Sequence, residues 1–280
     1  MGKALVINGL VVTNPLTTVT IADSPTEVAL RKYLLANSTI NTTEQESLTN
    51  LVESLIDANV WSKVKYFYPL LGGQLSDMIL DVVDPTTEDI ISNAGTTGLS
   101  VLNRCLVANN RINTYANIGT RAKSLDPTKL GFILAGNWFG TTYQHNSNGQ
   151  AFMFRKSNNF GLEISTSTTV YAFPQFRCNG TDVSDSSNTQ SYLNRLVFGN
   201  AKDGVCYLYW ENVLKAYNNV DLSGFDISTA QSYGVLCNNR AVDYQYNFAA
   251  LTEGLTNEEW TTVLYPAINT FLQAVGKRPL

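Results

Sequence analysis

The feature that most restricts this chain is the loss of helical periodicity between about residues 76 and 248. Short apolar and β-branched runs at 131–135, 151–155, 161–165, 170–177, 193–199, 205–210 and 233–237 alternate there with Gly, Asn and Asp turn signals. Strands that follow one another without intervening helices pair antiparallel, and their even spacing predicts a two-sheet sandwich. The polar composition agrees. Asn, Thr and Ser number 29, 29 and 20, against 42 Asp, Glu, Lys and Arg together. Amides and hydroxyls hydrogen-bond their own backbone in turns, so this bias suits long sandwich loops better than a helical bundle.

Helical signals are confined to the two ends. Ser24-Pro25-Thr26-Glu27 is a capping box with Pro at the first helical position, and it predicts a helix to about residue 36. Thr42-Thr43-Glu44-Gln45-Glu46 opens a second, with Leu48, Leu51, Val52 and Leu55 on one face and Asn59 as a C-cap. A short turn at 60–64 then leads into residues 66–71, and Gly72-Gly73 ends the block. Residues 23–75 are therefore expected to form a helical module covered by Trp61, Tyr66, Phe67 and Tyr68. Near residue 256, Thr256-Asn257-Glu258-Glu259 caps a last helix with an apolar stripe from Trp260 to Leu272. Pro266 is predicted to kink it, and Gly276, Lys277 and Arg278 to end it.

Residues 1–22 read as a β arm, with Asn8-Gly9 turning one run into the next. A lone hairpin is marginal in water, so the arm pairs either with the rest of this chain or with another subunit. The expected division is thus an arm at 1–22, helices at 23–75, and a sandwich with its closing helix at 76–280.

A net charge of −4 supplies no positive field, which argues against nucleic acid as a partner. No apolar run approaches the length that spans a bilayer, so membrane insertion is not expected. Cys105, Cys178, Cys206 and Cys237 form no Cys-x-x-Cys pair and are read as structural thiols buried in strands. The triplets at Asn37, Asn41 and Asn179 match glycosylation acceptors, as such triplets do by chance in an Asn- and Thr-rich chain.

Three sets of residues resemble two groups of known proteins. Val205-Cys206-Tyr207-Leu208-Tyr209-Trp210-Glu211-Asn212-Val213-Leu214 is similar to a strand–turn–strand of concanavalin A-like, laminin-G-like jelly rolls, with Glu211-Asn212 in a turn that usually carries Gly. The run from Tyr244 to Leu251, followed by Gly254-Leu255-Thr256-Asn257-Glu258-Glu259, resembles that family's last strand and closing helix. The helical block ending in Tyr68-Pro69-Leu70-Leu71-Gly72-Gly73, with Tyr265, Thr270-Phe271-Leu272 and Val275-Gly276-Lys277-Arg278, resembles tailed-bacteriophage head-fibre, tail-fibre and capsid-decorating proteins. That resemblance implies a structural virion component located in the virion. It would be a homo-oligomer, dimer or trimer, bound to other virion proteins through its arm. The alternative is a carbohydrate-binding or receptor-recognition module.

Jelly rolls of this kind include glycoside hydrolases, whose paired glutamates on one strand stand about 5 Å apart. No such dyad occurs; Glu163 and Glu211 are isolated, and Glu253, Glu258 and Glu259 read as a helix start. His145, the only histidine, lies in a polar loop without a nucleophile elbow. The chain is expected to be no enzyme and to need no cofactor. Asp182 and Asp185 offer oxygen ligands that calcium accepts, though two aspartates in a Ser- and Asn-rich loop also form turns. Trp138, Phe139 and Tyr143, set among Gly and Asn, are the candidate ligand-binding residues, where a ring stacks on a sugar face; the competing reading is that Trp138 caps the core.

Overall fold

The computed structural model describes residues 5–7, 10–12, 24–85, 99–108, 114–117, 124–138, 149–150, 152–155, 161–166, 172–178, 181–184, 195–223, 225–229, 232–238 and 244–278. In chain order the elements are β1 (Leu5–Ile7), β2 (Leu10–Val12), α1 (Pro25–Ala36), α2 (Thr42–Asp57), β3 (Val64–Tyr68), α3 (Leu75–Met78), β4 (Leu99–Leu102), β5 (Cys105–Ala108) and β6 (Thr114–Asn117). They continue with β7 (Leu130–Trp138), β8 (Gly149–Gln150), β9 (Phe152–Arg155), β10 (Gly161–Thr166), β11 (Ala172–Cys178) and β12 (Thr181–Ser184). The last are β13 (Arg195–Lys202), β14 (Val205–Trp210), β15 (Val213–Asn219), β16 (Ser232–Asn238), β17 (Tyr244–Glu253), α4 (Asn257–Glu259) and α5 (Tyr265–Ala274).

The fold is mainly β and antiparallel. A central eight-stranded sheet runs β15-β14-β13-β7-β17-β5-β4, with β3 also paired to β17. A four-stranded sheet, β12-β11-β10-β8, and a three-stranded sheet, β6-β16-β9, complete the β structure beside the β1–β2 hairpin.

Successive side chains on a strand point to opposite faces, and in the central sheet both faces are buried. On β13, Val197 and Ala201 join the core shared with Phe176, Cys178 and Val183 of the smaller sheet, while Leu196 and Phe198 join the core shared with the helices. On β17, Ala249 and Leu251 face the first core, Phe248 and Ala250 the second. Leu30, Leu48, Leu55, Trp260 and Phe271 from the helices fill that second core. The helices are therefore a layer of the structure, packed on the sheet face opposite the smaller sheet.

This packing corrects the reading of residues 66–71 as part of a helical block. Val64–Tyr68 is a strand, paired as Ala249↔Tyr68, Ala250↔Phe67 and Leu251↔Tyr66. Tyr66, Phe67 and Tyr68 alternate, Phe67 toward the helices and the two tyrosines toward the smaller sheet, while an irregularity in the pairing before Tyr66 puts Val64 on the helix side as well. The expected capping boxes form, Ser24 Oγ accepting from Glu27 N at 3.2 Å and Thr256 Oγ1 from Glu259 N at 3.0 Å; α2 has a further one, at Asn41, whose Oδ1 accepts from Glu44 N at 2.9 Å. Asn59 takes the left-handed conformation after α2, with φ 57°.

Three further expectations change. Cys178 on β11 and Cys206 on β14 form a disulfide, with Cα atoms 6.9 Å apart, so the two sheets are cross-linked where free thiols were expected. Sequence spacing cannot show that two distant strands stack face to face. Cys105 is a free, buried thiol, which burial pushes above the usual thiol range. The last helix changes its winding ahead of Pro266: a π turn at Trp260–Leu264 precedes it, and Tyr265 N donates to Trp260 O. The wider turn gives the proline ring room against the preceding carbonyl. Glu253 ends β17 and belongs to no helix, pairing across to Leu130.

Lys277 is not the solvated cation of a helix end. It is buried, its Nζ donates to Leu70 O, and its own carbonyl accepts from Asn247 Nδ2 at 3.0 Å. Asn247 sits at a bulge in β17, between Tyr246, which pairs with Leu106 of β5, and the stretch that pairs with β3. One edge of β17 thus serves two partners, and the chain after α5 is pinned at the fork. Burial pushes the Lys277 ammonium down to about 8. No helix among the described residues is long and apolar enough to cross a membrane.

Candidate functional site

A concavity among the described residues lies where α2 gives way to β3. Asn59 stops the helix in its left-handed conformation, and Val60 N donates back to Leu55 O at 2.8 Å. The chain then makes a 3-10 turn at Trp61–Lys63 before entering β3. This reversal sets Trp61 on the rim, half-buried, with its ring edge-on to Phe67 at a centroid distance of 5.4 Å. The resulting cleft has a volume of about 710 Å³. Its floor and walls include Val64, Leu125 and Val83, and its polar lining includes Asn59, Ser62, Lys65 and Glu253.

The two charged groups in the cleft are fixed. Lys65 Nζ donates to Ser62 O at 3.2 Å and stands 3.6 Å from Glu253 Oε2. Glu253 Oε1 accepts from Asp126 N at 2.9 Å. Nearby, Lys63 Nζ binds both oxygens of Glu259, at 2.5 and 2.7 Å. Burial alone pushes the Glu259 carboxyl up, but Lys63 and the Thr256 cap outweigh it and hold the group below the usual range. An aromatic face beside fixed donors and acceptors is the pattern of a site for a small polyhydroxylated ligand. The sequence showed Trp61 only as aromatic cover; the pairing of Lys65 with Glu253 was hidden because 188 positions separate them, and only the β3–β17 register brings them together.

The residues chosen from sequence fall elsewhere. Trp138 ends β7, its backbone opposite Tyr244, and its side chain lies outside the described residues, as do Phe139, Tyr143 and His145. Asp182 lies on β12 opposite Arg177, a strand position and not the loop position expected; Asp185 lies outside the described residues. Among the described residues no group of three or more His, Cys, Asp or Glu is placed to hold a metal ion. Glu211 stands in the β14–β15 turn with φ 58°, ion-paired to Arg278, while its carbonyl accepts from Trp260 Nε1 at 3.1 Å. Those partners account for Glu211 structurally. Asn37 is buried and its Nδ2, the atom a glycan would use, donates to Tyr33 Oη and Leu71 O at 3.1 Å each; Asn41 is exposed and caps α2 through its Oδ1, and Asn179 lies outside the described residues.

No family model matches the sequence, and no curated protein matches it. Solved structures do match the fold. The binding domain of Paraclostridial Mosquitocidal Protein 1 superposes with a TM-score of 0.55 at 11% identity, over 74% of this chain and 52% of that one. A Trypanosoma rangeli sialidase in complex with sialic acid gives 0.51 at 10% identity, over 75% and 34%; the same enzyme's covalent intermediate with 2,3-difluorosialic acid gives 0.53 at 9%, over 88% and 40%. The chain thus spans between a third and about half of the length of these proteins.

These similarities overturn the expectation of a bacteriophage structural component, since the architecture is shared with sialidases and the binding domain of a mosquitocidal protein. The helical block, one of the features behind that resemblance, is packed against the central sheet.

Proposed function

We propose that this chain is a non-catalytic carbohydrate-binding module whose sugar site is the Trp61 cleft. The observation that carries the reading is the half-buried indole facing a cleft of about 710 Å³ that also presents Lys65 and Glu253. Stacking on an aromatic face desolvates the apolar side of a pyranose ring, while fixed polar groups bond its hydroxyls. The fold's likeness to the binding domain and to the sialidases supports the same direction without assigning a ligand. The sequence lacks the paired glutamates on one strand that retaining jelly-roll glucanases use.

A glycan array read with the wild type, Trp61→Ala and Trp138→Ala tests this. Specific hits that Trp61→Ala removes and Trp138→Ala retains are expected. An array without hits would sink the proposal, as would hits lost only on Trp138→Ala. Glycoside turnover abolished by Glu163→Gln would replace it with an enzyme.

A further inference from the structure

The geometry points to a neutral saccharide, and not an acidic one, as the ligand of the Trp61 cleft; this inference rests on the carbohydrate-binding reading proposed above. The argument begins with charge. Among the described residues, the ionisable ones lining the cleft are one cation and one anion, Lys65 and Glu253, and they face each other at 3.6 Å. Each is held by the fold as well, Lys65 by the Ser62 carbonyl and Glu253 by the Asp126 amide. A carboxylate on a sugar is held best by a cation that offers it charge-assisted hydrogen bonds, as arginine does bidentately. Here an acidic sugar would draw Lys65 away from Glu253 and place a second carboxylate beside the first. Like charges at such range repel and lose the hydration they had in water. The neighbouring cation is also committed, since Lys63 carries both oxygens of Glu259.

A neutral sugar meets the opposite situation. Adjacent ring hydroxyls present a donor and an acceptor side by side. One donates to Glu253 Oε2 while its neighbour accepts from Lys65 Nζ, and the ion pair is bridged without being broken. Charge-assisted hydrogen bonds of this kind are stronger than neutral ones. Asn59 and Ser62, both exposed at the rim, add amide and hydroxyl partners suited to further hydroxyls. Trp61 supplies the stacking face. The cleft volume falls within the roughly 300–1,000 Å³ of small-ligand sites, so the occupant is a short oligosaccharide segment.

Titration calorimetry on the full chain decides the matter, with lactose, maltotriose and cellotriose as neutral probes and 3′-sialyllactose as the acidic one. At least one neutral probe should bind, at least about tenfold more tightly than any acidic probe. Its affinity should fall at least about tenfold in Trp61→Ala and in Glu253→Gln, with thermal melting recorded to show that each variant is folded. Lys65→Ala should weaken neutral binding and leave sialyllactose no better bound.

If 3′-sialyllactose binds tenfold more tightly than lactose and loses that affinity in Trp61→Ala, the neutral selectivity is wrong while the carbohydrate-binding reading stands. If the neutral probes bind but Glu253→Gln has no effect, the bridged ion pair is wrong. If none of these probes and no sugar on the array binds, both the selectivity and the underlying reading fall.

Discussion

The guanidinium of Arg104, at the β4–β5 turn, is ion-paired to the carboxylate of Glu44 in the first turn of α2, 60 positions earlier in the chain. Arg104 Nε donates to Oε1 at 2.9 Å, and its Nη2 also donates to the Thr39 carbonyl at 2.9 Å. Arg104 holds φ 60°, a left-handed conformation unfavourable for a residue with a side chain, next to Asn103 at φ 50°. An edge hairpin of the central sheet is thereby fastened to the helical layer. Glu44 is 4% exposed, so Arg104→Ala strands a carboxylate out of water and should cost about 1–3 kcal/mol in chemical denaturation. Burial alone would raise the Glu44 carboxyl, but the Arg104 hydrogen bond and the Asn41 amide outweigh it and hold the group below 4.5. Its contribution is present above pH 4.5 and lost as pH falls toward the lower folded value, so Arg104→Ala should flatten the wild type's acid-side loss of stability. An unchanged acid limb would contradict the pairing.

Lys277 predicts the opposite limb. Its ammonium is held down to about 8 in the fold, against 10.5 when unfolded. Below pH 8 both states are charged and the full cost of burial is present; between 8 and 10.5 the unfolded state binds more protons and stability rises. Lys277→Met lacks this dependence. The stability difference between wild type and variant should therefore move in favour of the wild type as pH rises through that window, read from urea midpoints at several pH values.

The Cys178–Cys206 disulfide joins the two sheets across a sequence separation of 28 residues. Reduction, or Cys178→Ala with Cys206→Ala, should lower stability by about 2–4 kcal/mol. A melting temperature indifferent to reductant would contradict the cross-link.

Gly199 lies under the ring of Phe176, one of the residues through which the smaller sheet meets the central one. A Cβ at position 199 would stand 2.6 Å from a Phe176 ring atom. Gly199→Ala should destabilise by about 1–3 kcal/mol through overpacking. Gly199→Ala combined with Phe176→Leu should recover part of that loss, because the smaller side chain vacates the contact.

Local chemistry made much of this fold readable in the sequence. The Ser24 and Thr256 capping boxes, the left-handed Asn59 and the continuous strand at Val205–Trp210 each depend on residues a few positions apart. Long-range features were hidden for the corresponding reason. Val64–Tyr68 looks like the tail of a helical block until β17 is placed beside it. Cys178 and Cys206 occupy different strands of different sheets, and no spacing rule states which sheets stack. The candidate cleft was obscured in the same way, because Trp61 follows a helix while Glu253 ends the last strand. Sequence alone identified an aromatic residue near a polar turn, but not the ion pair opposite it.

The burial of both faces of the central sheet bears on how such a chain can vary over time. A sheet with one wet face keeps alternate positions free to drift, whereas β7, β13 and β17 have almost none to spare, since neighbouring residues feed different cores. Saturation mutagenesis scored by folding should show two interleaved registers of intolerance along those strands. Tolerance should return at the outermost strand, β15, where Val213, Leu214 and Tyr217 are exposed. The middle of the sheet is then the most constrained part of the chain, and change accumulates outward toward that edge.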